Sequence, residues 1–339
     1  IKVCLKLAKS CIRRTSNGVK NIISAVKIVF KEKIFIILGL SLALNIVFVL
    51  LYFQEDLRSL FPGQASLFEG ILSGNDSSLD SSEILRQINP EEGYEVSAVY
   101  GDLGPQLLAS GAIDFEKMKA LYEEGGRPLT PDQIKILTEG SNEKIKITPE
   151  NSYFLLNFFW ALGLANKNII LDEGPMTKYG EDQIGNFAST GGWTLGKKEA
   201  MDLYSKFEII KLNSNQQAIL EDFANNSYRP CCSNPVAFPD CNHGMAALAL
   251  GELMASQGAG VDEIFEAYKY FNSFWFPQTY LDVATYFKAA EGKDWSQVDN
   301  RTVAGPDFST PQGWSQVRSW LKANNLLEEA PSGSGGCGV

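Results

Sequence analysis

One stretch stands out in the alternation of apolar and polar residues. Residues 34–53 read IFIILGLSLALNIVFVLLYF, twenty positions with no charge and one amide, Asn45. As a helix rising 1.5 Å per residue they extend about 30 Å, the thickness of a hydrocarbon core. A cleavable signal has a shorter apolar run and a small-residue cleavage site. Gln54-Glu55-Asp56-Leu57-Arg58 offers no such site. The pattern therefore predicts a retained transmembrane helix.

Beyond the span, residues 54–93 are expected to form a flexible stalk. Within them, Ser73-Gly74-Asn75-Asp76-Ser77-Ser78 is too polar to bury a core. Residues 94–329 are long enough to fold as a domain. Residues 330–339, APSGSGGCGV, read as a flexible tail carrying Cys337.

Helical signals dominate the domain. Thr130-Pro131, Thr148-Pro149 and Thr310-Pro311 each place a capping hydroxyl before a proline suited to the first helical position. Gln133 completes a capping box with Thr130. Asp114 is a cap for a helix ending at Gly125-Gly126. Residues 153–165 are apolar on nearly every side and should form a central helix. Further helices are expected at 197–207, 214–227, 241–257, 261–274, 278–290 and 313–325. In the fourth of these, Val261, Ile264, Phe265 and Tyr268 follow the helical i, i+3, i+4, i+7 spacing. Strand signals are confined to 145–147, 168–171 and 208–212. The predicted class is mainly α: one N-terminal transmembrane helix, then an irregular multi-helix domain with few short strands.

Charge adds a direction. The net charge is −10, unevenly spread. Residues 1–33 hold nine Lys/Arg and one acid, Glu32, for +8; the remaining 21 basic and 39 acidic groups sum to −18. Positive flanks stay in the cytoplasm. Residues 1–33 are thus expected to be a cytoplasmic tail at the cell membrane, with the large domain extracytoplasmic and the lipid bilayer as partner. The acidic domain would be repelled by phosphates, which argues against nucleic acid. No motif identifies a protein or small-molecule partner. Cys4 and Cys11 fall in the tail, where reduced thiols are expected.

Candidate chemistry concentrates in residues 228–245, YRPCCSNPVAFPDCNHGM. This segment holds three of the four outer cysteines, Cys231, Cys232 and Cys241, and the only histidine, His243. Three prolines, Pro230, Pro235 and Pro239, stiffen the loop. Asp240 is a natural N-cap, which would put Cys241 at N1 and His243 at N3 of the following helix.

Three readings follow. The first is a metal site: three thiolates and an imidazole suit zinc, copper or iron, and Cys337 is a possible additional ligand. The spacing C-C-x8-C-x-H matches no standard zinc pattern. Cys241 and His243 converge on one ion only if Cys241 lies at or before the cap, because i and i+2 do not share a helix face. The second reading is a disulfide holding the loop to the helix in a surface interaction or structural protein. The third is a thiol-dependent enzyme with Cys241 activated at the helix start.

Other features carry less. Residues 268–287 hold nine aromatics, read as core more readily than as a cofactor pocket. Residues 189–196 are Gly-rich but lack the phosphate-loop lysine, and 294–307 lack the final Glu of a calcium loop. The small residues Gly244, Ala247, Gly251 and Ala255 line one face of the helix after the loop, which permits close packing.

Overall fold

The computed structural model describes residues 79–328. The expected tail, transmembrane span and most of the stalk lie outside the described residues, as does Cys337. Among the described residues, no helix is long and apolar enough to cross a membrane.

The fold begins inside the segment expected to be stalk. Asp80 accepts from the backbone of Ser82 and Glu83 and starts helix α1, Ser81–Ile88. Ile84 and Ile88, one turn apart, are both buried. That i, i+4 pair is enough to anchor a short helix whose surroundings are polar, so the last part of 54–93 belongs to the folded domain.

Strand β1, Tyr94–Gly101, follows and pairs antiparallel with β2, Ser141–Ile147. Val96, Ala98 and Tyr100 alternate inward along β1, the period-two pattern of a half-buried strand. The register runs from Tyr94 opposite Ile147 to Gly101 opposite Ser141, with two irregularities. Gln257 binds the N–H and C=O of Val99 through its side-chain amide, at 2.9 Å each, and so occupies backbone groups of the strand.

Between the strands come α2, Leu103–Ser110, α3, Phe115–Glu124, and α4, Pro131–Thr138. Asp114 caps α3, and Thr130 with Gln133 forms the expected capping box of α4. The Thr148-Pro149 signal is displaced by one turn. Thr148 and Asn151 exchange backbone–side-chain bonds, and α5, Ser152–Ala165, starts with Asn151 as its cap residue.

Every residue of α5 except Tyr153 is buried, as its all-round apolar sequence requires. The short helices α6, Ile169–Asp172, α7, Glu181–Ile184, and α8, Ala200–Leu203, occupy the next forty residues. Two expectations fail here. The strand expected at 168–171 is replaced by α6, because Asn168 caps that helix through the N–H of Ile170. Residues 208–212 form no strand; the N–H groups of Ile209 and Ile210 bind the Asn166 side chain instead of a partner strand. The helix expected over 197–207 shrinks to α8.

The second half of the domain follows expectation closely in α9, Ser214–Asn226, α10, Asn242–Ser256, α11, Val261–Trp275, and α12, Pro277–Glu291; α13, Asn300–Ala304, is an addition to it, and α14, Pro311–Ala323, is again as expected. Helix α10 is buried from Asn242 to Ala255 and lies against α5 at the centre. Gly163 makes that approach possible: a Cβ there would stand 2.3 Å from the Met245 carbonyl oxygen. The described domain is mainly helical with one two-stranded sheet.

The aromatic run is core, not a pocket lining. Tyr268, Phe271, Trp275, Tyr280 and Phe287 are buried, and Phe159, Phe271 and Trp275 make successive edge-on contacts. Two apolar clusters result. One surrounds α5, α10 and α11; the other joins α1 and α12 to Trp295, Val303 and α14.

Candidate metal centre

The loop between α9 and α10 is built around one buried cation. Tyr228 is held by the Ala304 carbonyl through its N–H and by the Tyr268 hydroxyl through its C=O. The next residue, Arg229, is fully buried. Its guanidinium donates through Nη1 to the carbonyls of Asn234 and Pro235 at 3.0 Å, and through Nη2 to the Phe238 carbonyl at 2.9 Å. Nη2 also forms a salt bridge with Asp240, and Nε donates to the Cys241 Sγ at 3.0 Å. The five contacts wrap residues 229–241 round a single planar group. Such a fork suits Arg and not Lys.

Pro235 and Tyr228 form an antiparallel bridge, and Val236 donates its N–H to the Ser227 carbonyl at 2.9 Å. A turn at Arg229–Cys232, closed at 3.3 Å, brings Cys231 and Cys232 back over the start of α10.

Cys241 itself is the N-cap of α10, one position later than Asp240 was expected to be. Its Sγ accepts from the Gly244 N–H at 3.4 Å. The reason for the shift is that Asp240 is engaged by Arg229 and by the Asn234 amide, at 2.8 Å, and is unavailable to the helix.

The Sγ atoms of Cys231, Cys232 and Cys241 all lie within 4.8 Å of one another. Cys231 and Cys241 are 3.4 Å apart, and Cys232 lies 3.8 Å from the Asp240 carboxylate. The three residues are thiols, not disulfides, and each is half-buried. Cys241 is held well below the ordinary thiol value by hydrogen bonds from Cys231 and Cys232, against the opposing effect of burial and with the charge of Arg229 helping. In Cys232 the bond from Cys231 lowers the value, but donation to Cys241 and burial outweigh it, so the thiol is shifted up.

His243 is placed apart from the three sulfurs. The set of mutually close ligand atoms comprises the cysteines alone among the described residues. The imidazole is buried, with its ring 4.4 Å from Phe276 and 5.7 Å from Trp275. Its Nδ1 has no hydrogen-bond partner. Thus the structure brings together Cys231, Cys232 and Cys241, and leaves His243 on the aromatic side of the helix start.

Two further residues belong to the site. Nothing in the cysteine spacing points to Arg229, although its place two residues before Cys231 is a local signal. In the sequence Gly244 stands out only as part of a small-residue face. A Cβ on Gly244 would meet Arg229 Cζ at 2.5 Å, so this glycine is the seat of the guanidinium.

The donor set is chemically coherent. Three sulfurs around a first-row ion at about 2.3 Å stand about 3.8–4.0 Å from each other, inside the 4.8 Å within which all three sulfurs lie. The Cys₃ cluster can hold a metal ion. Comparison of the chain with protein-family models, with curated proteins and with solved structures gives no match.

Proposed function

We propose that the protein is a membrane-anchored, extracytoplasmic metal-binding protein whose centre is formed by Cys231, Cys232 and Cys241. The convergence of the three Sγ atoms within 4.8 Å carries this reading. Thiolates are the preferred ligands of zinc, copper(I) and iron–sulfur centres. Arg229 and the start of α10 position the cluster and stabilise its anionic form. His243 lies two residues beyond Cys241, with an unpartnered Nδ1, and would have to leave its aromatic contacts to bind. The apolar run 34–53 and the charge asymmetry across it support the anchor and the outer location.

The test is metal analysis of the full chain, purified in detergent under reducing conditions and reconstituted with zinc(II) or copper(I). About one equivalent retained per chain, lost in Cys231→Ser and Cys241→Ser, is the expected result. A chain that retains no metal while its three thiols remain titratable would overturn the proposal. The 3.4 Å approach of Cys231 to Cys241 favours one second reading: a thiol pair that is oxidised to a disulfide, either as a loop staple or in redox chemistry. Metal-free protein with a native Cys231–Cys241 bond would support it.

A further inference from the structure

The donors left at the centre point to a particular kind of ion. This inference rests on the thiolate reading of the same site. Several of the loop's oxygens are already engaged. The carbonyls of Asn234, Pro235 and Phe238 accept from Arg229. One Asp240 oxygen accepts from Arg229 and the other from Asn234. Asp240 is thereby the wrong candidate for a hard fourth ligand, since taking it would strip a fully buried guanidinium of its counter-ion. His243 is held against Phe276 and Trp275. Among the His, Cys, Asp and Glu side chains of the described residues, what remains convergent is three sulfurs.

We infer that the centre takes a soft monovalent ion, copper(I), in three-coordinate sulfur ligation, in preference to zinc(II). Zinc in protein sites is almost always four-coordinate, with a closed ligand set when structural and with water in the fourth position when catalytic. Copper(I) is selected by thiolates and needs no oxygen or nitrogen donor. The environment of Cys241 acts in the same direction. Its sulfur accepts from Arg229 Nε at 3.0 Å and from the Gly244 N–H at 3.4 Å, and both donors draw charge from it. A soft ion bonded through polarisable sulfur loses less by this than a divalent ion held chiefly by charge.

The experiment uses the full chain in detergent, anaerobic and reduced, loaded with copper(I) from a chromophoric chelator and separately with zinc(II). X-ray absorption at the metal edge counts the neighbours. One copper per chain with three sulfur neighbours, undisturbed by excess zinc, is expected. Cys231→Ser should weaken copper(I) binding by more than the 10–100-fold typical of changes outside the ligand shell. His243→Ala and Cys337→Ser should leave the copper spectrum unchanged. Displacement of copper by zinc, or a fourth nitrogen, oxygen or sulfur neighbour, would overturn copper(I) selectivity while leaving a thiolate metal centre in place. Retention of neither metal would overturn both readings. Because the neighbour count is taken on the unsubstituted chain, the result stands even if a variant fails to fold.

Discussion

Arg229 donates through Nε to the Sγ of Cys241 at 3.0 Å, while the rest of its guanidinium holds three carbonyls and the Asp240 carboxylate. One buried side chain therefore folds the loop and adds its positive charge to the hydrogen bonds from Cys231 and Cys232 that hold the Cys241 thiol well below its ordinary value. Replacing it by Met would leave a carboxylate and several carbonyls facing an apolar gap. Breaking a buried pair in this way typically costs 3–5 kcal/mol. Arg229→Met is expected to lose about that much in urea unfolding, and Arg229→Lys to recover only part, because an ammonium cannot reproduce the planar fork. A loss below about 1 kcal/mol, the level of an exposed pair, would mean that the guanidinium is solvated and the loop is held by other contacts.

Gly244 offers an independent check of the same packing. Ala in place of Gly inside a helix normally stabilises by about 1 kcal/mol. Here the added Cβ would stand 2.5 Å from Arg229 Cζ, and overpacking of this kind costs about 1–3 kcal/mol. Gly244→Ala is thus expected to destabilise, and to impair metal retention by pushing Arg229 off Cys241. Thermal unfolding together with metal analysis reads both effects. A stabilised variant with full metal content would show that the guanidinium does not rest on this glycine.

What was legible in the chain divides along the range of the interactions. Asp114, Thr130 and Thr310 announce their helices because a cap bonds to residues two or three positions away. Helix α5 was legible from composition alone. Strand β1 was missed, although Val96, Ala98 and Tyr100 alternate, because its partner β2 lies some forty residues further on and short apolar alternation is ambiguous by itself. The cysteine cluster was visible as a local concentration. The role of Arg229 was not, since arginine is ordinarily a surface residue and its burial depends on a loop that folds back from residues five to twelve positions ahead. His243 drew attention as the only histidine. Its environment is set by Trp275 and Phe276, whose position over the start of α10 depends on tertiary packing that no local pattern encodes.

The cysteine geometry predicts which bond forms when the metal is absent. Cys231 and Cys241 have their sulfurs 3.4 Å apart, so a shift of little more than an ångström joins them. Cys231 and Cys232 are adjacent in sequence and would need a strained eight-membered ring. Treating metal-free protein with diamide, which takes up the two hydrogens as the disulfide forms, should give a Cys231–Cys241 bond with Cys232 still open to alkylation. Peptide mapping by mass spectrometry identifies the pair. Prior loading with copper(I) should protect both cysteines. A dominant bond involving Cys232 would contradict the arrangement of the loop.

Glu252 supplies a pH dependence separate from the thiols. It lies in the middle of α10, fully buried, and neither carboxyl oxygen has a hydrogen-bond partner. Burial pushes its pKa well above the ordinary carboxyl value, and the nearby Asn166 and Asn168 side chains, not placed to bond either oxygen, do not offset it. The native state therefore keeps the proton to higher pH than the unfolded chain does. By linkage, stability from this group is fully present below about pH 4.5, the ordinary value, and is lost as pH rises through the raised native one. Gln has nearly the shape of the protonated acid and no charge to bury. Glu252→Gln should match the parent in urea unfolding near pH 4.5 and become progressively more stable than it toward pH 8. Taking the difference between the two proteins cancels every other titrating group that the substitution does not touch. A difference that stays constant with pH would mean that Glu252 is ionised in the folded protein, and a paired cation would then have to be found beside α10.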